Sequence, residues 1–304
     1  MPGTGRPDDE QTRPRAPLGT HLLLLASVAI WGTTFVAMKI LLAHVSAFEL
    51  VGLRLAIGLP VLGLVLCLRG HPIGFDRRDA RPLLLGSAIV LVHFLLQPIA
   101  LSLPKTTATN TGWIIAFSPL GIVVLSRLVL GEPILRRQIA GIALATLGVL
   151  LLVSGGDPTG LAWIESAGDW LILFTALTWA LYTITTRDLA RRRGALAVTF
   201  VVFLPLAAAC LSGMAFLSDW SRFGSLPVAA VRALLFLGIL GTLAQWFWQL
   251  GVARLGAARA GLYVYLEPLA TTAVAVPLLG ERFGPATAAG GALLLAGVWW
   301  AERR

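Results

Sequence analysis

The sequence predicts an all-α integral membrane protein: ten transmembrane helices forming two inverted five-helix repeats around a central cavity. Three observations lead there. Hydrophobic residues make up 57% of the chain and charged residues 13%, with a mean hydropathy of +0.82, whereas about a quarter of a soluble domain is charged. Residues 112–149 and 261–298 align without a gap at an offset of 149. They share Gly112/Gly261, Pro119/Pro268, Leu130/Leu279, Gly131/Gly280, Glu132/Glu281, Gly141/Gly290 and Gly148/Gly297. Lys and Arg, finally, crowd into alternate loops.

A bilayer core needs roughly 20 apolar residues per helix. Ten such runs follow in order: 20–42, 46–68, 83–103, 106–130, 135–155, 167–187, 195–217, 229–252, 256–279 and 284–301. Residues 1–19, rich in Pro, Arg and Asp, have little to bury and read as a disordered cytoplasmic tail. The first run is too long for a cleaved signal peptide, since it continues through Trp31-Gly32 to Lys39. With the N-terminus inside, cytoplasmic segments hold 18 Lys and Arg against 4 outside, which orients both termini to the cytoplasm. Five runs per half then set 20–155 and 167–301 antiparallel within one membrane domain. The charge pattern supports inversion independently: Arg136 and Arg137 follow Glu132, while Gly284 and Pro285 follow Glu281. The first helices match more weakly, Trp31 with Trp179 and Lys39 with Arg187. Duplicated membrane halves around one axis are a mark of transporters.

Other classes fit less well. Cys67 and Cys210 lie in apolar runs, with no disulfide framework or C-x-x-C metal site. The net charge of +9 resides in short loops, so topology accounts for it and no nucleic-acid partner is expected. Neither Lys39 nor Lys105 ends a G-x-x-x-x-G-K phosphate loop, and no H-E-x-x-H occurs. Asp76-Arg77-Arg78-Asp79 resembles a carboxylate pair for metal-diphosphate chemistry, but two intervening arginines and a single copy favour a juxtamembrane loop. No cofactor is expected.

Several motifs occur together and in order: Trp31-Gly32-x-x-Phe35, Arg54, Pro119…Leu130-Gly131-Glu132, and Tyr265-Leu266-Glu267-Pro268…Leu279-Gly280-Glu281. In this the chain resembles the EamA family of the drug/metabolite transporter superfamily over nearly its whole length after the tail. The resemblance implies two inverted five-helix repeats and export or exchange of small metabolites, often amino acids, across the inner membrane. It marks Glu132 and Glu281 as family signature, read here as structural, and names no substrate.

Polar side chains at membrane depth are costly unless they face a cavity or a partner. His93 and Gln97 stand four apart on one helix face, as do Gln245 and Gln249, with Trp246 and Trp248 around them. Either pair could contact a polar substrate or tie helices together. Trp163, Trp170, Trp220, Trp299 and Trp300 lie near span ends and read as an interfacial belt. Trp31, Trp113, Trp179 and Trp246 lie deep, where an indole either walls a cavity or fills space. Trp179 shares a face with Tyr182, and Asn110 with Trp113 and Phe117. Pro119 and Pro268 remove the hydrogen bonds to Ile115 and Val264 mid-span, as hinges or as passive kinks. Glu267, whose counterpart is Ser118, could take a proton, contact a substrate ammonium, or pair with Arg54, the structural pair being favoured.

The expected cavity is lined by Trp31, His93, Gln97, Trp113, Trp179, Tyr182, Gln245, Trp246, Tyr263 and Glu267, with Asn110 and Phe117 as further contacts. Aromatic walls with few charges suit neutral or zwitterionic solutes, above all neutral or aromatic amino acids, moved by alternating access. A multidrug or nucleotide-base exporter on the same scaffold is the alternative, an integral membrane enzyme a weaker one. Partners would be a small-molecule substrate, the lipid bilayer and protons as a candidate coupling ion. Oligomeric state stays open between monomer and weak homodimer; no small-x-x-x-small face stands out.

Overall fold

A computed structural model describes residues 17–70, 73–153, 164, 166–279 and 284–302. Most of the proposed tail, the belt residue Trp163, and Gly280, Glu281, Arg282, Arg303 and Arg304 lie outside the described residues. Twelve α-helices and two short 3-10 helices, Arg77–Asp79 and Trp220–Ser225, account for the regular structure, and among the described residues there is no strand. The first half holds α1 (Leu18–Leu42), α2 (Ala47–Leu68), α3 (Ala80–Ser102), α4 (Ala108–Ile115), α5 (Ser118–Leu130) and α6 (Arg136–Val153). The second holds α7 (Ala167–Arg193), α8 (Ala195–Leu217), α9 (Val228–Leu255), α10 (Ala257–Val264), α11 (Glu267–Leu279) and α12 (Pro285–Glu302). Among the described residues, eight segments are long and apolar enough to cross a membrane, with α4–α5 and α10–α11 each forming one. The helices α6 and α12 are 18 residues each, and the apolar part of α12 is Ala288–Ala301.

Local signals set the boundaries. Ser46 with Glu49, and Ser166 with Asp169, form reciprocal capping boxes that start α2 and α7. Thr107 accepts from the Asn110 amide to start α4. Gly131 ends α5 in the left-handed region at φ 67°, where a side chain would clash.

Packing runs between the halves more than within them. Helix α1 lies on α9 and α11, and α7 on α3 and α5; α2 lies on α9, and α8 on α3. Likewise α5 meets α10, α4 meets α11, and α6 meets α12. Exchanging the two halves maps this set of contacts onto itself, so the duplication in sequence is also a duplication in packing.

Lipid tails are as apolar as leucine, so helices associate by close approach rather than by expelling water. The α6–α12 contact is built that way and corrects the expectation that no small-residue face stands out. A Cβ on Gly141 would meet the Gly297 carbonyl at 2.5 Å, and one on Gly297 would meet the Gly141 carbonyl at 2.6 Å. Ala145 and Ala301 continue the same two faces, four residues on from each glycine. General Gly and Ala abundance hid this pattern in the sequence, because only the partner helix distinguishes a contact glycine from any other.

The two conserved-offset prolines need a second correction. They do not kink a continuous helix: Ala116–Phe117 and Tyr265–Leu266 break each span, and Pro119 and Pro268 stand in the first turn of the next helix. There a missing N–H is harmless, because first-turn amides have no partner within the helix. Tight bonds bridge the breaks: Phe117 N–H donates to Ile114 O at 3.1 Å and Leu266 N–H to Tyr263 O at 2.9 Å.

Charges gather at the two ends of the bundle. At one end Asp79 accepts from Arg192 at 3.1 Å and Arg193 at 2.7 Å, Asp76 also pairs with Arg193, and Arg187 pairs with Glu132 at 2.7 Å. The Asp76–Asp79 segment is thus a single 3-10 turn, capped by Asp76 and anchored by arginines. Glu132 also accepts from the Ala257 and Ala258 amides at 3.3 and 3.1 Å, capping α10 across the halves. At the other end Arg222 pairs with Glu49, and Lys39 donates to the Leu101 and Thr106 carbonyls at 2.7 and 2.6 Å. Trp170, Trp220, Trp299 and Trp300 are exposed, as belt residues would be.

Gly297→Val should drive a side chain into the α6 backbone and cost at least about 1–3 kcal/mol. Thermal unfolding in detergent should show a lowered midpoint, with Gly284→Ala, where no atom lies within 4 Å, as the unaffected control.

Candidate functional site

Seven helices contribute to one small central cavity. Its wall holds Trp31, Thr34 and Phe35 from α1, Arg54 from α2, His93, Phe94 and Gln97 from α3, and Ile115 from the end of α4. The second half adds Trp179 from α7, Gln245 from α9 and Glu267 from the start of α11. Six of the expected residues therefore meet here: Trp31, His93, Gln97, Trp179, Gln245 and Glu267. The volume is about 30 Å³, room for a water or two rather than for a metabolite.

Aromatic rings form one side. Trp31 meets Trp179 edge-on at 5.0 Å and Trp248 at 5.3 Å, and Trp179 lies 5.8 Å from Trp248 and 5.2 Å from His93. These separations are those of favourable offset and edge-to-face contacts. Trp31 reaches this place because Gly32 lets α1 approach α11: a Cβ there would meet the Glu267 and Thr271 backbone at 2.7 Å. The Trp-Gly pair and Glu267 are positioned by the same contact.

Polar groups form the other side. The Nδ1 of His93 donates to the Thr175 carbonyl at 3.1 Å and lies 3.0 Å from Thr178 Oγ1. A carbonyl only accepts, so Nδ1 carries a proton. Arg54 lies with its guanidinium 4.8 Å from the Phe94 ring centre and beside Gly241, where a Cβ would come within 3.3 Å of Nη2. Arg54 Nε, Gln245 Oε1 and Trp31 Nε1 are buried with no hydrogen-bond partner among the described residues. The favoured structural pair between Arg54 and Glu267 is a further correction: no ion pair joins them among the described residues. Glu49, the carboxylate in the same helix as Arg54, is engaged by Arg222 and Ser46.

The remaining expected residues lie off this wall. Tyr182 is fully buried behind Trp179, their rings 5.3 Å apart. Asn110 donates to Asp169 at 2.9 Å, and Trp113 to Thr272 Oγ1 at 3.3 Å. Phe117 lines an apolar groove of about 510 Å³ with Trp170, Phe174 and Leu177. Tyr263 bonds His21 near the chain's start, and Trp246 packs under Arg69, 4.9 Å from the ring centre.

Trp248 was the aromatic that sequence reasoning passed over. It is fully buried against Trp31 and Trp179, while Trp246, chosen instead, is turned toward Arg69. Helical phase held the signal: Trp248 is three residues after Gln245 and shares its face, whereas Trp246 is rotated about 100° away. The same spacing from Trp31 brings in Thr34 and Phe35.

Comparison with known proteins fits this arrangement. The sequence pattern of the EamA-like transporter family matches residues 18–154 and again 166–302. An uncharacterized transporter of Archaeoglobus fulgidus is 31% identical over 284 residues, covering 92% of this chain and 96% of its own. A probable terminal-alkyne amino-acid exporter of Streptantibioticus cattleyicolor is 30% identical over 295 residues, covering 92% of each chain. A crystal structure superposes with a TM-score of 0.75 over 94% of this chain and 97% of that one, and its 21% identity makes this a likeness of fold alone.

The cavity geometry separates the two neighbouring indoles. Trp248→Ala should cost about 3–5 kcal/mol of stability by leaving a hole in the aromatic cluster, and Trp246→Ala clearly less. Unfolding of the purified protein in detergent, followed by near-ultraviolet circular dichroism, gives both values.

Proposed function

Because this chain belongs to the EamA-like transporter family, we propose that it is a secondary transporter of small metabolites, above all neutral or aromatic amino acids, working by alternating access in efflux or exchange. The observation that carries this reading is the convergence of helices from both halves on one buried, partly polar cavity. A solute held there touches both halves at once, so movement of one half against the other changes which side it faces. The small volume suits an occluded state in which neither side is open.

In this reading α6 and α12 also cross the bilayer, making ten spans in two inverted repeats, 20–155 and 167–301. The excess of Lys and Arg in alternate loops supports cytoplasmic termini, in an inner, plasma-type membrane. The ion-pair clusters support the same assignment: Asp76, Asp79 and Glu132 meet arginines of cytoplasmic segments, and Glu49 meets Arg222 of an outer one. The breaks before Pro119 and Pro268 serve as hinges, since each joins two short helices by only two residues. A cargo of amino-acid type is supported by the aromatic wall and by the exporter from Streptantibioticus cattleyicolor.

Purified protein in liposomes should exchange labelled neutral amino acids without altering them chemically, and an imposed pH gradient distinguishes proton coupling from exchange. Trp179→Ala and His93→Ala should each slow that flux by about tenfold or more, the loss of roughly 1.4 kcal/mol of binding or barrier stabilisation, while eluting as folded protein. Wild-type rates in both variants would remove these residues from the site, and flux of cationic dyes alone would favour the multidrug reading.

A further inference from the structure

We propose that Arg54 and Glu267 are the two poles of a zwitterion site, Arg54 taking the carboxylate and Glu267 the ammonium group of an α-amino acid. The proposal deepens the transporter reading and rests on it. Both side chains line the same cavity, and each residue is 3% exposed. Neither has an ion-pair or side-chain hydrogen-bond partner among the described residues: Thr271 Oγ1 bonds the Glu267 backbone carbonyl and not its carboxylate. Such burial is expensive for an unpaired ion, and an opposite charge brought by a ligand relieves it. Buried polar groups without partners call for an explanation, and here a guanidinium and a carboxyl group line one space.

Direct pairing would be the simplest relief, and the structure does not use it. Arg54 is instead seated over Phe94 and against the bare backbone of Gly241. Glu267 stands where α11 packs closely on α1 at Gly32. A monovalent cation would leave Arg54 unpaired, and an anion would leave Glu267 unpaired. A molecule carrying both charges satisfies both, with the planar guanidinium suited to a bidentate grip on a carboxylate. The amide oxygen of Gln245, buried without a partner, adds an acceptor for the ammonium. Trp31 and Trp179 then offer their faces to the side chain of the substrate.

The test uses full-length protein in liposomes and three matched solutes: L-phenylalanine, 2-phenylethylamine, which lacks the carboxylate, and 3-phenylpropionate, which lacks the ammonium. Each competes against uptake of labelled L-phenylalanine. Wild type should prefer L-phenylalanine by about tenfold or more over each analogue, since each analogue lacks one charge-assisted bond. Arg54→Gln should erase the preference over 2-phenylethylamine only, and Glu267→Gln the preference over 3-phenylpropionate only. Should both variants lower all three by a common factor, the charges serve folding or motion and the proposal falls. Wild type that ignores the missing groups, or that moves dyes but no amino acid, overturns the proposal while the transporter reading stands. Wild type that moves no solute ends that reading as well. If Arg54→Gln does not elute as a single species, Arg54→Lys and Glu267→Gln decide the matter, because ratios between solutes do not follow from the amount of folded protein.

Discussion

Lipid offers no hydrogen bond, and most of the architecture here follows from that constraint. A polar group inside the bilayer must find its partner in the protein. Ser27 does so twice, donating within reach of the Leu23 carbonyl of its own helix and the Ala244 carbonyl of α9, at 2.9 and 3.1 Å. Threonines along α7 turn back on the preceding turn, as Thr183 does to Trp179 O and Thr186 to Tyr182 O. Gln249 joins this network by donating to Thr186 Oγ1 at 2.7 Å. Among the buried polar atoms left without a partner, those of Trp31, Arg54 and Gln245 share the cavity wall, whereas others, such as Tyr182 Oη and Trp248 Nε1, lie off it.

The same constraint explains how the halves hold each other. Helices that cannot exclude water must touch closely, so Gly32 meets α11 and Gly141 meets Gly297 backbone to backbone. The amides that open α10 at the end of the bundle need partners too. Glu132 supplies them for α10, binding two amides and Arg187 together. A signature of sequence thereby acquires a physical role: the glycine ends one helix and the glutamate starts another in the opposite half. Lys39, the counterpart of Arg187, closes the carbonyls at Leu101 and Thr106. Related cations thus secure related junctions at the two ends of the bundle.

At the centre, aromatic packing and buried charge act together. Indole rings shape a wall that tolerates flat apolar groups, and the charges add direction that a hydrophobic pocket lacks. On the proposed zwitterion site, a direct ion pair between Arg54 and Glu267 would consume the groups that the substrate is to engage. Gly241 beside Arg54 and Gly32 against the Glu267 backbone are the close contacts that seat these two residues.

Much of this was legible in the chain itself. Apolar runs determined where helices form, because the bilayer sets their length. The offset of 149 residues determined that two halves pack alike. The inward polar residues His93, Gln97, Gln245 and Glu267 were identifiable because lipid would not accept them. Tertiary structure decided the rest. Which indole faces inward, Trp248 rather than Trp246, depends on the rotation of α9 against α1 and α7. Whether Arg54 and Glu267 join or stand apart depends on how far α2 and α11 are held from each other. Periodicity records which side of a helix is apolar, but distances across a cavity belong to the packing of several helices at once.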